Sequence, residues 1–302
     1  MKHILLVLLT ITCLAGCREE KPPKNLRIMS FNIWVGGGRS VAATADVIIK
    51  SRAQIIGIQE ATRRGKNIAV QIADSLGWYA YANGNSTTII SPFAIVDTSS
   101  SGKGVKLRLN DKRFVWMFNV HLQYCPYEPY QLNGIEYCGA PLLDSAGEAV
   151  ESAWKSRGET VSAVIADIKE AQKEGFPIFL TGDFNEPSYL DWTSRAVDAG
   201  LCKMPVEWPA TKAFSEQAGM IDSYRAVYPD ETLKPGHSWT TLPSEREVLD
   251  RIDFVFYWGD NVKPVSSCLI GEPGSLSDIG FSGYPSDHRA VLSSFQRKMI
   301  NP

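Results

Sequence analysis

The chain has 302 residues, a length that suits one large domain or two smaller ones. Hydrophobic residues make up 44% and charged residues 21%, which is typical of a packed domain and argues against an intrinsically disordered chain. The formal net charge is −2, so the chain lacks a global basic field that would gather DNA or RNA. This balance argues against a binder that depends on long-range attraction, but it leaves room for a nuclease with a local patch and a bound cation.

The N-terminal segment has the pattern of an export signal. Lys2 precedes a mostly apolar stretch at 4–11 that is too short to span a bilayer, and Leu14-Ala15-Gly16-Cys17 follows. This ending resembles a bacterial lipobox, which implies cleavage before Cys17 and acylation of that cysteine; an ordinary signal peptide with a chance cysteine is the alternative. We predict a lipoprotein signal peptide at 1–16 and a lipidated, polar tether at 17–25. The lipid would hold the exported protein at the bacterial outer membrane or cell surface, or on the periplasmic face.

After the tether, apolar runs alternate with amphipathic segments. In chain order we predict a strand at 26–33, a helix at 40–51, a strand at 55–60, a helix at 66–76, and strands at 79–81, 88–90, 94–98 and 113–121. An irregular stretch at 122–150 follows, and then a helix at 149–174, a strand at 176–183, a helix at 192–200, and strands at 252–257 and 290–294. This order predicts one α/β domain at 26–296 with two packed sheets, followed by a tail at 297–302.

Polar residues lie at or beside the ends of the buried apolar strands. One such residue is usually a cap or a turn group, but seven are hard to explain as independent caps. They are Asn32, Glu60, His121, Asp183, Asp253, Asp287 and His288.

The chemistry of this set is specific. Carboxylates and amide oxygens suit a hard cation such as Mg²⁺, which needs only one or two carboxylates plus waters and a substrate phosphate. A histidine can donate to a phosphate oxygen or accept a proton from water near neutral pH. Together these groups would allow water to attack phosphorus in line, with the developing charge stabilised by the cation and the donors.

Six motifs occur in one order along the chain: Ser30-Phe31-Asn32, Gln59-Glu60, Asn119-Val120-His121-Leu122, Gly182-Asp183-Phe184-Asn185, Arg251-Ile252-Asp253-Phe254 and Ser286-Asp287-His288. Over 26–296 they resemble the motifs of the endonuclease/exonuclease/phosphatase superfamily, which includes deoxyribonuclease I. The resemblance implies a four-layer α/β sandwich, in which two packed, mainly antiparallel β-sheets are flanked by helices. It also implies a metal-dependent phosphoric ester hydrolase.

The resemblance also implies roles for individual residues. Glu60 should be the main ligand of Mg²⁺, or of Mn²⁺ in its place, with Asn32 beside it and Asp287 facing the metal. Asp183 should orient or deprotonate the attacking water, and Asn185 should hold a phosphate oxygen. His121 should donate to the phosphate. His288, with Asp253 as its carboxylate partner, should act as the general base or as a hydrogen-bond donor to the phosphate. The resemblance leaves open which of Asp183 and His288 is the base.

Several of these residues have simpler interpretations. Asn32 could cap a turn, and Glu60 could complement a helix dipole. Asp253 could be a purely structural buried carboxylate. His237 matches no catalytic histidine of the family and is interpreted as a loop residue near the rim. Two arginines, Arg157 and Arg225, could contact a substrate phosphate or could only form surface ion pairs.

The segment after His121 should overhang the site and set the choice of substrate. Its residues Tyr124, Tyr127 and Tyr130 could stack on a base, a sugar or an inositol ring, or could only pack the loop onto the domain. The four cysteines of the exported chain permit two disulfides. The local pair Cys125–Cys138 is the better candidate, and Cys202–Cys268 is the other.

These observations favour a secreted, Mg²⁺-dependent phosphoesterase, either a phosphodiesterase or a phosphatase. Its substrate would be a small molecule, a lipid head group or a nucleic acid, and we predict no protein partner. An extracellular nuclease acting on DNA or RNA is the first alternative. A non-catalytic surface-binding lipoprotein is the second, although such a protein would be expected to have lost Glu60, Asp183 or His288.

Overall fold

The structure of the protein, a computed structural model, describes residues 25–84 and 87–297. The predicted signal peptide, residues 17–24 of the predicted tether (with Cys17) and residues 298–302 of the predicted tail lie outside these described residues. Within the described part, no helix combines the length and the apolar character needed to cross a lipid bilayer.

Helices separate runs of one or more strands along the described chain. The strands are β1 (Asn25–Asn32), β2 (Ile55–Gln59), β3 (Thr62–Arg63), β4 (Lys66–Asn67), β5 (Tyr79–Asn83), β6 (Thr87–Ser91), β7 (Ala94–Thr98), β8 (Gly104–Asn110), β9 (Arg113–His121), β10 (Ile178–Asp183), β11 (Ile221–Asp222), β12 (Asp253–Trp258), β13 (Val262–Gly271), β14 (Ile279–Gly280) and β15 (Ala290–Arg297). The helices are α1 (Trp34–Gly37), α2 (Val41–Ser51), α3 (Ile68–Leu76), α4 (Glu128–Leu132), α5 (Ala146–Gln172), α6 (Ser194–Asp198), α7 (Pro209–Ala218) and α8 (Ser223–Val227).

The strands form two large sheets and one short hairpin. One sheet has seven strands in the order β14-β13-β15-β1-β2-β6-β5, and the other has six in the order β11-β12-β10-β9-β8-β7. Strands β3 and β4 pair only with each other. Most neighbouring strands are antiparallel, whereas β1 with β2, β9 with β10 and β13 with β14 are parallel.

Three apolar clusters define the layers. Ile55 and Phe179 belong to the cluster between the two sheets, where their inner faces meet. Helices α2 and α3 cover the outer face of the seven-stranded sheet, with Ile72 among the buried residues. Helices α5 and α7 cover the outer face of the six-stranded sheet, with Val161 and Phe214 in the contact. The order helix–sheet–sheet–helix confirms the predicted four-layer α/β sandwich.

A small polar contact locks the two sheets together near one end of the sandwich. A Cβ atom at Gly57 would lie 1.9 Å from Oγ1 of Thr181 and 2.6 Å from Oδ1 of Asn119, so only glycine allows this close approach. Gln59 donates to Oδ1 of Asn119 (2.6 Å), and Asn119 donates to the backbone oxygen of Ile58 (2.9 Å). These buried bonds fix the relative position of β2 and β9 one or two residues before the strands end.

Strand direction and register bring the predicted site residues to that same end. In the parallel pairs, Asn32 lies opposite Gln59 and His121 lies opposite Asp183. In the antiparallel pair of β10 and β12, Asp183 lies opposite Asp253. Strand β15 runs antiparallel to β1, so the residues that precede β15 lie beside the end of β1.

The predicted elements agree with the structure at most positions, and the differences have physical causes. The prediction misses β8, β13 and α7, and β13 has a register shift between Pro264 and Ser266 that interrupts its apolar pattern. The long helix begins at Ala146, earlier than predicted, because Ser145 and Glu148 form a capping box at its N-terminus. The stretch at 122–150, predicted to be irregular, contains the short helix α4.

Candidate active site

The side-chain amide of Asn32 lies at the centre of the site. Its Nδ2 donates to Oε1 of Glu60 (3.2 Å) and to Oδ2 of Asp183 (2.9 Å), and it lies 3.5 Å from Nε2 of His288. These residues come from β1, the end of β2, the end of β10 and the segment before β15. The structure therefore brings together groups that are up to 256 positions apart in sequence.

Backbone N–H groups of α1 orient the two residues nearest the predicted cation site. Trp34 donates to Oδ1 of Asn32 (3.0 Å), and Val35 donates to Oε2 of Glu60 (2.6 Å). Glu60 has a φ of 54°, in the left-handed region, so its backbone leaves the strand direction as β2 ends. Asn32 thus stands beside the predicted cation site as a hydrogen-bond donor to Glu60, and its direct role as a metal ligand stays a prediction.

His288 is held between two buried carboxylates. Its Nδ1 donates to Oδ2 of Asp253 (2.9 Å), and its Nε2 lies 3.7 Å from Oδ2 of Asp183. His121 approaches that same oxygen of Asp183 with its Nε2 at 3.6 Å. The indole ring of Trp239 lies against the imidazole of His288, with ring centroids 4.8 Å apart. This packing and the bond to Asp253 give His288 one orientation.

The surrounding charges set the protonation of His288. Burial by itself would lower its pKa, but the negative charges of Asp253, Asp183 and Asp287 outweigh burial and raise the pKa to about 10. The imidazole is then a cation at neutral pH when no metal is bound. In this state it can donate to a phosphate oxygen from Nε2.

The carboxylates fit a divalent cation. Burial raises the pKa of Asp287 to about 6; the charge of His288 opposes this, and the charges of Glu60 and Asp183 add to it. Among the described residues, neither Glu60 nor Asp287 forms an ion pair with Lys or Arg. Two neighbouring carboxylates with no Lys or Arg partner in the described part of the chain are an oxygen donor set that suits a hard cation.

A second group of possible ligands has a different character. One ligand atom each from Asp183, Asp253 and His288 lies within 4.8 Å of the others. Because the imidazole already donates to Asp253 and faces Asp183 with its other nitrogen, we assign these three residues to proton handling and phosphate contact rather than to metal binding.

Asn185 lies next to the carboxylate of Asp183. Its backbone N–H donates to Oδ1 of Asp183 (2.9 Å), its Nδ2 donates to the backbone oxygen of Leu122 (3.1 Å), and its φ is 48°. This conformation turns the chain sharply after β10 and places the amide at the rim, as expected for a residue that contacts phosphate.

An aromatic pocket adjoins the site on the side of Asn185. It has a volume of about 230 Å³. It is lined by the predicted residues Tyr124, Tyr127, Tyr130 and Asn185, and by three residues that were not predicted as site residues, Tyr137, Trp239 and Ile252. Trp239 lies more than 100 positions from the tyrosines in sequence, so only the fold shows that it belongs here.

The predicted disulfide between Cys125 and Cys138 is confirmed, and it closes the loop that carries the tyrosines. The predicted pair Cys202–Cys268 is wrong, since both thiols are free. Cys202 packs beside the cluster of Leu132 and Trp208, whereas Cys268 packs beside the outer cluster of the seven-stranded sheet. The two thiols therefore lie in separate parts of the core.

The structure corrects the interpretation of Arg157. Its side chain is fully buried, so it neither reaches a substrate phosphate nor forms a surface pair. Its Nη1 donates to Oε2 of Glu128 (2.8 Å), and its Nη2 donates to the backbone oxygen of Pro126 (2.6 Å). Arg157 thus fixes the tyrosine loop to α5.

The structure also corrects the interpretation of Arg225. Its side chain is 5% exposed and its Nε donates to Oδ1 of Asp191 (2.6 Å). Three backbone oxygens, of Tyr228, Lys234 and Pro235, accept its remaining N–H groups. His237 lies in the same region, where its backbone oxygen accepts a hydrogen bond from Nη1 of Arg289 (2.9 Å).

The chain is similar in sequence or in fold to several known proteins. "Uncharacterized protein F14F9.5" of Caenorhabditis elegans is 27% identical over 321 residues, which cover 97% of this chain and 98% of that protein. The human Nocturnin catalytic domain, solved with a bound sulfate anion, has a TM-score of 0.57 at 14% identity. The match covers 91% of this chain and 95% of the Nocturnin chain. TDP2 from D. rerio, solved with a single-strand DNA product, has a TM-score of 0.54 at 16% identity. The match covers 90% of this chain and 98% of the TDP2 chain.

The two solved structures show that the fold is shared. The family model described as Endonuclease/Exonuclease/phosphatase family matches residues 29–288, a span that contains every motif residue of the site. Because this match covers most of the 302 residues, the protein belongs to the endonuclease/exonuclease/phosphatase family, a family of metal-dependent phosphoester hydrolases.

Proposed function

We propose that the protein is an exported, Mg²⁺-dependent phosphoesterase that cleaves its substrate by in-line attack of water on phosphorus. One observation carries this proposal: the amide of Asn32 lies within 3.5 Å of a carboxylate oxygen of Glu60, a carboxylate oxygen of Asp183 and an imidazole nitrogen of His288. A carboxylate suited to bind metal, a general base and an imidazole that can donate a hydrogen bond to phosphate thus lie within reach of one phosphate group.

Asp183 is suited to orient and deprotonate the attacking water. The N–H groups of Asn32 and Asn185 hold its two oxygens, and its side chain is 1% exposed. As the water oxygen bonds to phosphorus, its proton would pass to the Asp183 carboxylate, while the ester oxygen on the opposite side of phosphorus leaves with the electron pair of its bond and takes a proton from solvent. Both nitrogens of His288 face carboxylates, Nδ1 at Asp253 and Nε2 at Asp183, so the imidazole is suited to donate hydrogen bonds, and this supports Asp183 as the base.

The two histidines are suited to stabilise the phosphate. His121 and His288 face Asp183 from two sides, so both can donate to non-bridging oxygens of a phosphate bound there. Their bonds strengthen as negative charge grows on those oxygens in the transition state. A divalent cation held by Glu60 and Asp287 would supply Lewis-acid stabilisation of the same charge.

A panel of two chromogenic esters tests the reaction class. Purified protein with Mg²⁺ should hydrolyse bis-p-nitrophenyl phosphate if it is a diesterase and p-nitrophenyl phosphate if it is a monoesterase. Mn²⁺ should replace Mg²⁺ at least in part. Hydrolysis of neither ester, by protein whose circular dichroism shows it to be folded, would point to the non-catalytic surface-binding alternative.

Export and lipid attachment are part of the proposal and rest on the sequence at 14–17. Labelling cells with a clickable palmitate analogue should tag the wild-type protein and leave the Cys17→Ser variant untagged. An untagged wild-type protein in the culture medium would show that the export signal is an ordinary signal peptide.

A nuclease is the second candidate function, and a local basic feature favours it. The β3–β4 hairpin follows Glu60 directly and carries Arg63, Arg64 and Lys66, of which Arg64 and Lys66 are exposed. Arg39 lies over the ring of Trp34 (5.5 Å to the centroid) on the same side. Cleavage of DNA or RNA that weakens steeply with added salt would support this function, because phosphate contacts release counterions.

A further inference from the structure

The aromatic pocket is joined directly to the catalytic groups. Asn185 lines it and also donates to Asp183, and Trp239 lines it and also packs on His288. A substrate with its phosphate at the catalytic groups would therefore extend an attached group into this pocket.

The deep part of the pocket offers ring surfaces rather than polar groups. Tyr127 donates its hydroxyl to Oδ2 of Asp250 (2.7 Å), and Tyr130 donates its hydroxyl to Glu247. The indole N–H of Trp239 is also engaged, with Oε1 of Glu247 (3.1 Å). None of the lining residues is charged, so an inositol polyphosphate or another multiply charged group would find no counter-charges there.

The rim of the pocket, unlike its deep part, carries exposed tyrosines. Tyr124 is 55% exposed and Tyr137 is 38% exposed, and in the described part of the chain neither hydroxyl has a hydrogen-bond partner. The pocket thus combines aromatic surfaces inside with two hydroxyls at its mouth. A planar ligand with apolar faces and a polar edge matches both features, because its faces can stack on the aromatic rings while its edge bonds to the hydroxyls.

The size of the pocket limits the ligand to a single ring system. Its volume of about 230 Å³ lies below the range of roughly 300–1,000 Å³ that is typical of sites for drug-sized molecules. We propose that this pocket binds one nucleobase, so that the preferred substrate is a phosphate ester with a nucleoside attached. This inference rests on the proposed function, since it takes the phosphate to be bound at Asp183 and His288.

The pocket is built to keep its shape before a ligand arrives. The disulfide between Cys125 and Cys138 closes the loop, and Arg157 ties it to α5 through Glu128 and the backbone of Pro126. Tyr127 and Tyr130 also pack edge to face, with centroids 4.8 Å apart. A wall that is already rigid loses little entropy on binding a flat ring.

Two matched diesters test the inference. Thymidine 5′-(p-nitrophenyl phosphate) and methyl p-nitrophenyl phosphate release the same phenol and differ only in the group on the other side of phosphorus. With Mg²⁺, kcat/KM for the thymidine ester should exceed that for the methyl ester by about tenfold or more. A ratio near one, or a higher value for a matched inositol ester, would overturn the nucleobase assignment while leaving the phosphoesterase proposal intact.

Variants place this preference in the pocket. Tyr124→Ala and Tyr137→Ala should each lower the ratio of the two kcat/KM values severalfold, because each removes one wall of the mouth. Tyr79→Ala is the matched control, since Tyr79 is 51% exposed on β5 and does not line the pocket. An unchanged ratio in both pocket variants would contradict the inference.

A binding measurement separates the inference from the activity. In calorimetric titrations, adenosine 5′-monophosphate should bind about tenfold more tightly than ribose 5-phosphate, and Tyr124→Ala should remove most of that difference. Selective binding without hydrolysis of any ester would refute the proposed function but support the nucleobase pocket. Equal affinities for the two ligands would refute the pocket assignment.

Discussion

Nδ1 of His288 lies 2.9 Å from Oδ2 of Asp253, and this bond determines what the imidazole can do. The carboxylate fixes Nδ1 as the protonated nitrogen and directs Nε2 toward Asp183. Burial of this pair at the strand ends makes the bond strong and keeps the ring from turning. Asp253 is therefore a positioning residue that acts through His288, as the sequence analysis expected of a carboxylate partner.

Replacing Asp253 with Asn should change the titration of His288. Removing a negative neighbour lowers the pKa of an imidazole, by about one unit or more for a partner at this distance. NMR of the metal-free protein should show a His288 ring that stays protonated to about pH 10 in the wild type and titrates at lower pH in the variant. Identical titration curves would mean that Asp253 does not govern this histidine.

Asp183→Ala and His288→Ala should each abolish turnover, with kcat lower by a factor of about 100 or more, because each removes a group that acts on the transition state. Steady-state kinetics with bis-p-nitrophenyl phosphate would measure this loss. Asp46→Ala is the control, since Asp46 is half exposed on α2 and forms an ion pair with the exposed Lys50. Rates close to wild type in either site variant, with the fold retained, would count against the mechanism.

The buried carboxyl of Glu186 should make stability depend on pH. Burial raises its pKa to about 8, although the charge of Arg157 and the N–H of Ala210 act in the opposite direction. The native state thus keeps a proton that the unfolded chain loses near the ordinary pKa of 4.5, so the contribution of this group to stability falls as pH rises from there to about 8.

Glu186→Gln should remove this pH dependence, because glutamine imitates the protonated form and can keep the bond from Ala210 (2.6 Å). Urea denaturation should show that the variant gains about 1–4 kcal/mol relative to wild type between about pH 5 and pH 8. If the free energies of unfolding of the two proteins differed by the same amount at about pH 5 and about pH 8, Glu186 would be ionised in the native state across this range.

Reduction of the Cys125–Cys138 disulfide should loosen the tyrosine loop. The two cysteines are 13 positions apart, and closing a loop of this length stabilises a native state by about 3 kcal/mol in the chain-entropy model. Denaturation midpoints should therefore fall when a reductant is added to the wild type. The Cys125→Ser/Cys138→Ser double variant should not respond to the reductant, and a wild type that also fails to respond would contradict the prediction.

The candidate site residues could be predicted from sequence because each lies at or beside an end of a buried strand and within a recognisable motif. Glu60 and Asp183 show this clearly, since the strands before them are wholly apolar or nearly so and the register of β1, β2, β9 and β10 then aligns their ends. The four-layer fold follows from the same strands together with the amphipathic helices that cover them.

The aromatic pocket was only partly predictable from the sequence. The cluster of tyrosines after His121 indicates a wall, but nothing in the local sequence of Trp239 shows that it completes that wall from the segment before β12. Arg157 is a similar case, because a lone arginine on a helix has the same local pattern whether it faces solvent or pairs with a buried Glu128. Long-range contacts determine whether Trp239 lines the pocket and whether Arg157 is buried, and the spacing of residues along the chain does not encode these contacts.

The requirement for a divalent cation at Glu60 tests the central claim most directly. Protein treated with EDTA and dialysed should not hydrolyse bis-p-nitrophenyl phosphate, and added Mg²⁺ should restore the rate along a saturable curve. Glu60→Gln should need about tenfold more Mg²⁺ for half of its maximal rate, since it loses a charged ligand. A metal-free protein that hydrolyses the ester at the full rate, or a Glu60→Gln variant with an unchanged Mg²⁺ curve, would contradict the account.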